Sequence, residues 1–399
     1  MVDPFLPETE KIAAIREMLP ATGAGIYLDT LTAGPFPAET ARALAEADEW
    51  ELRVGRVGAG REEDVAQREE EARAVLAALV MGDPSAIVVT HGVGEGQAQL
   101  ALSLAPSVGA RWIQVTGGDP CAAAAVRGVA VAHGAVAVEV TPDDAAELLG
   151  SELGLVVLPH VDERSGAVLP VAELSRRAHA AGALVILDAS SSAGAMPIDP
   201  EALEVDAVAF PAHRWLLGPE GAGALWLGEN TLAKVHPWAL GERLDRSPRR
   251  STLGLARSLG WLEMYVSLPW AYERTADLAR GLAAALTEID GVAVLTPTDR
   301  VAGIVTFRID RWTVAEAIDE LGRRVFALIG SADVEGEPAL RASLGCWNTV
   351  EELTRFAAAV SELAAYAPAT IPRRPSLVVL RERPGEADGE DGANGEGGP

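Results

Sequence analysis

The sequence predicts an α/β fold, with a large domain on a mainly parallel sheet and a smaller α+β domain after it. Two patterns carry this expectation. Short apolar runs of strand length alternate with Ala-rich helical stretches through the first half of the chain. Such alternation builds a parallel sheet covered by helices on both faces. Beyond a long helical connector the pattern changes to short strands separated by two helical stretches. A chain of 399 residues accommodates this at roughly 100–200 residues per domain.

Taken in order, Asp64–Met81 reads as a helix and Ser85–Thr90 (SAIVVT) as a buried strand. Strand patterns follow at Trp112–Thr116, Ala135–Val140, Leu155–Leu158 and Ala183–Leu187. The helices between them are predicted at Cys121–His133, Asp143–Gly150 and Ala172–Ala181. Val205–Phe210 and Gly223–Leu227 add two strands close together. Ser251–Glu273 reads as the connector, broken by Pro269, because proline cannot continue a helical ladder. The smaller domain is expected from Val292–Leu295, Gly303–Ile309, helix Val314–Gly322, Leu340–Ser343 and helix Val350–Ala365. The boundaries are an N-terminal segment at 1–24, the large domain at 25–255, the small domain at 256–370 and a tail at 371–399. From about 381 the tail reads RERPGEADGEDGANGEGGP, without bulky apolar residues, and is expected to be disordered.

Composition excludes several function classes. The formal net charge is −25, from 58 acidic and 33 basic residues. Nucleic acid and anionic membrane reward basic patches and are not expected partners. Two cysteines, Cys121 and Cys346, are too few for a disulfide framework or a cysteine-rich zinc site. The six histidines show no metal-ligand spacing. No signal-like apolar region opens the chain and no run is long enough to span a bilayer, so a cytoplasmic location is expected. Only Lys11 and Lys234 could supply a lysine amine.

Ligands of open parallel sheets bind beyond the carboxyl ends of the strands. After Ser85–Thr90 comes His91-Gly92-Val93-Gly94-Glu95-Gly96, then a helix. The loop is either a phosphate cradle of backbone N–H groups or a tight strand-to-helix turn. After Ala183–Leu187 comes Asp188, which either supports a cationic ring nitrogen or caps a helix. After Val205–Phe210 comes the run HRWLLGPEGAGALWLG, beginning at His213.

That run resembles the signature of the class V aminotransferase family, which includes cysteine desulfurases and isopenicillin N epimerase-like enzymes. The resemblance extends from Ile26-Tyr27-Leu28-Asp29 to Leu340-Arg341-Ala342-Ser343 and Trp347-Asn348-Thr349. It implies the fold of fold type I pyridoxal phosphate proteins, with a sheet of about seven strands. It also implies a cofactor site at Gly92, Gly94, Glu95, Asp188, Ser191, His213 and Thr252. Arg341 matches an arginine that often holds a substrate carboxylate, a bidentate task. Ser251-Thr252 resembles a segment lent across a dimer interface, so a homodimer, or a heterodimer with a paralogue, is expected.

The departures from the family pattern fall on the chemistry. The family carries its Schiff-base lysine immediately after the signature histidine, and here that position is Arg214. A guanidinium stays protonated and is not a usable nucleophile. Pro120 stands nearest to a ring-stacking histidine, Pro211 where many members have serine, Ser191 for a glutamine and Gly94 for a threonine. Desulfurases carry a nucleophilic cysteine on a loop before the Arg341 region. The corresponding stretch, Ile329–Pro338, has none, and cysteine desulfurase activity is disfavoured. The expected function is therefore a degenerate or repurposed member that binds a small anionic or amino acid-like ligand. The alternative is a transferase, lyase or epimerase with pyridoxal or pyridoxamine phosphate held non-covalently. With the first reading, no cofactor at all is also open.

Overall fold

The structure is a computed structural model that describes residues 7–148, 153–235, 249–297 and 299–372. The acidic tail from 381 and His236 lie outside the described residues.

Seven strands form the large sheet: β2 (Ile87–Thr90), β3 (Arg111–Val115), β4 (Val136–Val140), β5 (Leu155–Pro159), β6 (Leu184–Asp188), β7 (Ala207–Pro211) and β8 (Gly223–Leu227). Their order is β2-β8-β7-β6-β5-β3-β4, with β8 antiparallel to both neighbours and the other pairs parallel. The strands at Ser85–Thr90 and Ala183–Leu187 therefore share one sheet, as expected. β5, β6 and β7 are buried at every position, which is why they read as continuous apolar runs. Helices cover both faces. Leu100, Leu104 and Val126 pack on one side, and Leu76, Leu174 and Leu259 on the other.

The second sheet has five strands: β1 (Ile26–Leu28), β9 (Val292–Val294), β10 (Ile304–Ile309), β11 (Ala327–Val334) and β12 (Glu337–Ser343), in the order β1-β11-β12-β10-β9. β1, which the boundary at 25 assigned to the large domain, pairs in parallel with Ala327–Ile329 of the small one. Its burial explains the placement, since Ile26 and Leu28 sit in the small domain's core beside Phe307 and Phe356. The helix Glu8–Met18 docks nearby: Arg16 donates to the Trp347 carbonyl and pairs with Glu352.

Two further expectations are corrected. The stretch Ile329–Pro338 is not a loop. β11 and β12 form a tight hairpin whose two turn residues, Glu335 and Gly336, both have positive φ (59° and 82°). That is the conformation favoured for two-residue hairpin turns. The connector is not broken by Pro269. The helix Arg249–Trp261 runs into a π-helical turn at Leu262–Val266, and Ser267, at φ 66°, ends it. Pro269 lies in the first turn of the next helix, Leu268–Thr287, where it costs no hydrogen bond.

Candidate functional site

The carboxyl ends of β3, β5, β6 and β7 converge on a cleft closed on one side by β12. Asp188 is the last residue of β6 and is buried. One of its oxygens accepts the Ser190 N–H at 2.9 Å and the other the Asp119 N–H at 3.0 Å. The loop after β3 lies so close that a Cβ on Gly118 would come within 2.6 Å of the Asp188 carboxylate. Glycine is what allows this approach.

Asp119 caps the helix Pro120–Ala132, its Oδ1 accepting from the N–H groups of Cys121 (2.9 Å) and Ala122 (3.0 Å). Its Oδ2 accepts from Arg214 Nη2 at 2.9 Å. Arg214 follows β7 and points into the cleft with 7% of its surface exposed. Its Nη1 lies 3.4 Å from Ser191 Oγ and 3.5 Å from Glu163 Oε2, and its Nε is buried without a partner. A buried guanidinium needs such partners, and here the protein supplies them itself.

Glu163 sits on the loop after β5. The loop is held to both domains. The Glu163 N–H donates to the Gly117 carbonyl, while Thr296 and Thr306 of the small domain donate to the carbonyls of Ser165 and Arg164. Burial pushes the Glu163 carboxyl up to about 7; Asp188 and Asp119 add to the rise, and Arg214 and Arg341 oppose it. Arg341, on β12, approaches from the other side. Its Nη1 is 3.4 Å from the Glu163 carbonyl and its Nη2 is 4.0 Å from Asp29, while Nε is buried without a partner. Gly330, opposite Arg341 in the hairpin, leaves space for this pair: a Cβ there would meet Asp29 Oδ1 at 2.6 Å. Burial and the Arg214 charge together lower the pKa of His213.

The glycine-rich loop is arranged as a turn with its own anion. Glu95 folds back, one oxygen accepting the His91 N–H and the other lying 3.0 Å from His91 Nδ1 and 2.8 Å from Gln99 Nε2. Gly92 has φ 149°, and Gly94 packs beside Ala122 of the neighbouring helix. The helix Val93–Leu104 still presents the unpaired N–H groups of its first turn. Thr252, expected to reach a partner's phosphate, is 1% exposed within its own protomer, with Oγ1 buried and unpartnered. It faces inward from the helix Arg249–Trp261.

The expected residues Asp188, Ser191, Arg214 and Arg341 are thus brought together with two carboxylates that sequence reasoning missed, Asp119 and Glu163. The available signal was positional, since each lies on the loop after a parallel strand, Asp119 at its end and Glu163 four residues in. Neither lysine takes part. Lys11 Nζ lies 3.9 Å from the centre of the Trp270 ring, and Lys234 is exposed. Cys346 is fully buried, its thiol pushed up to about 12, and Cys121 is exposed at the first turn of its helix. Among the described residues there is no cluster able to hold a metal ion, and no helix is long and apolar enough to cross a membrane.

This fold and cleft define a class, and comparison with known proteins agrees with it. The aminotransferase class-V family profile matches residues 26–251, and the chain belongs to that family. A probable cysteine desulfurase of Methanothermobacter thermautotrophicus is 25% identical over 398 residues, covering 88% of this chain and 97% of that protein. Isopenicillin N epimerase of Streptomyces clavuligerus is 28% identical over 258 residues, 56% of this chain and 65% of the epimerase. Among solved structures, a mutant of C-DES with glycine covalently linked to its PLP cofactor superposes with a TM-score of 0.80 at 21% identity, covering 87% of this chain and 99% of that one. The apo cysteine desulfurase of Thermococcus onnurineus gives 0.75 at 22%, covering 92% and 100%. These structures share the fold type I architecture.

Against that background the residues of the cleft do not fit a covalently linked pyridoxal phosphate. No lysine amine is present there among the described residues, and the Arg214 guanidinium is committed to Asp119. Each Asp188 oxygen accepts one backbone N–H and keeps a lone pair for a further donor.

Proposed function

We propose that this chain is a binding member of the class V aminotransferase family, receiving a small amino acid-like ligand in the cleft without Schiff-base chemistry. The observation that carries the reading is the Arg214–Asp119 pair. At the position matching the family lysine stands a cation that cannot become a nucleophile and is neutralised by an aspartate of the protein's own. The same pair weighs against a simple anion as ligand. Asp29, Asp119, Glu163 and Asp188 surround only two arginines, so a purely negative molecule meets an already acidic site. A ligand carrying both charges suits it better, with its carboxylate on Arg341, whose donors are mostly free.

The test is to purify the protein with added pyridoxal phosphate and record its visible spectrum before and after borohydride reduction. No covalent adduct is expected. A yellow protein that is fixed by borohydride overturns the reading and sends the search to Lys234 and Lys11.

A second reading keeps pyridoxal or pyridoxamine phosphate as a non-covalently held cofactor. It is favoured by Asp188, an acid buried at a strand end. A bound chromophore removed by dialysis and never fixed by borohydride would support it. We also propose a two-fold dimer. Exposed Trp50, Leu52, Val54 and Val57 crowd the turn between the helices Ala38–Val54 and Ala59–Leu79, and such a patch suits an interface. Light scattering that shows only monomer at micromolar concentration would remove that proposal.

A further inference from the structure

Of the four carboxylates in the cleft, Asp188 and Asp119 have a hydrogen-bond partner on each oxygen, and Asp29 has one on Oδ1. Asp188 accepts a backbone N–H on each, and Asp119 caps a helix with one and takes Arg214 with the other. Asp29 accepts from Thr32 and lies on the far side of Arg341. Glu163 differs. Its Oε2 makes one long contact with Arg214 at 3.5 Å, and Oε1 has no hydrogen-bond partner among the described residues. The side chain is 15% exposed, toward the cleft. Arg341 is its mirror image in charge, a half-buried guanidinium with contacts of only 3.4 and 4.0 Å. The Glu163 carbonyl accepts from Arg341 Nη1 at 3.4 Å and each side chain feels the other's charge, so the free acceptor and the free donors belong to neighbouring residues. An α-amino acid carries its ammonium and carboxylate on one carbon.

We infer that Glu163 is the residue that selects the ligand's ammonium group, with Arg341 taking the carboxylate. The inference rests on the reading of the cleft as an amino acid-like binding site and goes further by assigning the specificity to one side chain. Among the described residues, the charged groups that act on Glu163 are Arg214 after β7, Arg341 on β12, Asp188 on β6 and Asp119 after β3. Glu163 binds an ammonium as a carboxylate. Because its carboxyl is held at about 7, ammonium binding expels a proton, and affinity rises with pH through that region.

The test compares L-alanine with L-lactate, which replaces the ammonium by a hydroxyl on the same skeleton. Calorimetry is run from pH 6 to pH 8 in buffers of different ionisation enthalpy. Wild-type protein should prefer alanine at least tenfold at pH 8, and at pH 6, where Glu163 is mostly protonated, it should release close to one proton on binding alanine. E163Q should lose the preference and the pH dependence. Thermal unfolding checks that the variant is folded, and proton release by the wild type needs no variant. If alanine and lactate bind equally, or alanine affinity falls as pH rises, or E163Q keeps the preference, the inference is overturned and the binding reading stands. If neither compound binds the wild type, both fall.

Discussion

Arg214 donates to Asp119 Oδ2, and Asp119 holds a helix N-terminus with its other oxygen. The cation at the centre of the cleft is thereby anchored to a structural element as well as to a charge. The aspartate shared between them links the integrity of the fold to the electrostatics of the site.

Replacement of Asp119 should separate these two tasks. Asp119→Ala loses a cap, about 1 kcal/mol. It also leaves a buried guanidinium short of its best partner, a loss of about 3 kcal/mol where a buried pair is broken. Asp119→Asn keeps the cap and loses the charge. Urea denaturation should therefore rank wild type, Asp119→Asn and Asp119→Ala in falling stability. Equal stability of the two variants would mean that the cap contributes nothing.

Restoring the family lysine should not restore a Schiff base. In Arg214→Lys the new ammonium would face Asp119 and Glu163, and neighbouring carboxylates favour the charged form, which is not nucleophilic. The variant with added pyridoxal phosphate should remain without a borohydride-fixed adduct. A stable yellow, reducible complex would show that the rest of the pocket is intact.

Glu163 makes stability depend on pH in a defined direction. Its carboxyl is raised in the folded protein from 4.5 to about 7, so between those values the folded state binds more protons than the unfolded one. Its contribution is fully present below about 4.5 and is lost as pH rises through 7. At roughly 1.4 kcal/mol per unit the loss is on the order of 3 kcal/mol. Glu163→Gln removes this titration. Its stability relative to wild type should improve between pH 5 and pH 8, as measured by denaturant midpoints at each pH. A constant difference would show that burial does not raise this group.

Gly118→Ala tests the close approach of the β3 loop to Asp188. The added methyl must displace the loop or the carboxylate, a misfit of about 1–3 kcal/mol. Displacing the loop moves Asp119 away from Arg214. Gly118→Ala should therefore cost less in a chain that already lacks Asp119 than in the wild type, a coupling that a double-mutant cycle measures.

The large domain was legible because its strands are buried on both faces and its helices are Ala-rich, so period and composition agree. β1 was not assigned to its sheet because three residues carry no record of a partner some 300 positions away, Ile26 lying opposite Ala327. β11 reads ALIGSADV, interrupted by Gly330, Ser331 and Asp333, and fully buries alternate residues only as far as Ile329. The resemblance to loop-bearing relatives masked that alternation. At the site, Asp188 stands out because it directly follows a continuous apolar run, and Arg214 because it follows the signature histidine, His213. Glu163 lies four residues beyond β5 in a stretch with no glycine signature, and Asp119 meets Arg214 only after folding brings two strand ends together.

The hairpin of β11 and β12 has a kinetic consequence. Arg341 sits in a ladder closed by a two-residue turn, and its strand is paired on both sides, with β11 and β10. No segment there has to become ordered when a ligand arrives or melt when it leaves. The rim that carries Arg341 therefore imposes no gating step, and residence time should be governed by the strength of the contacts at Arg341 and Glu163, with association close to the diffusional regime.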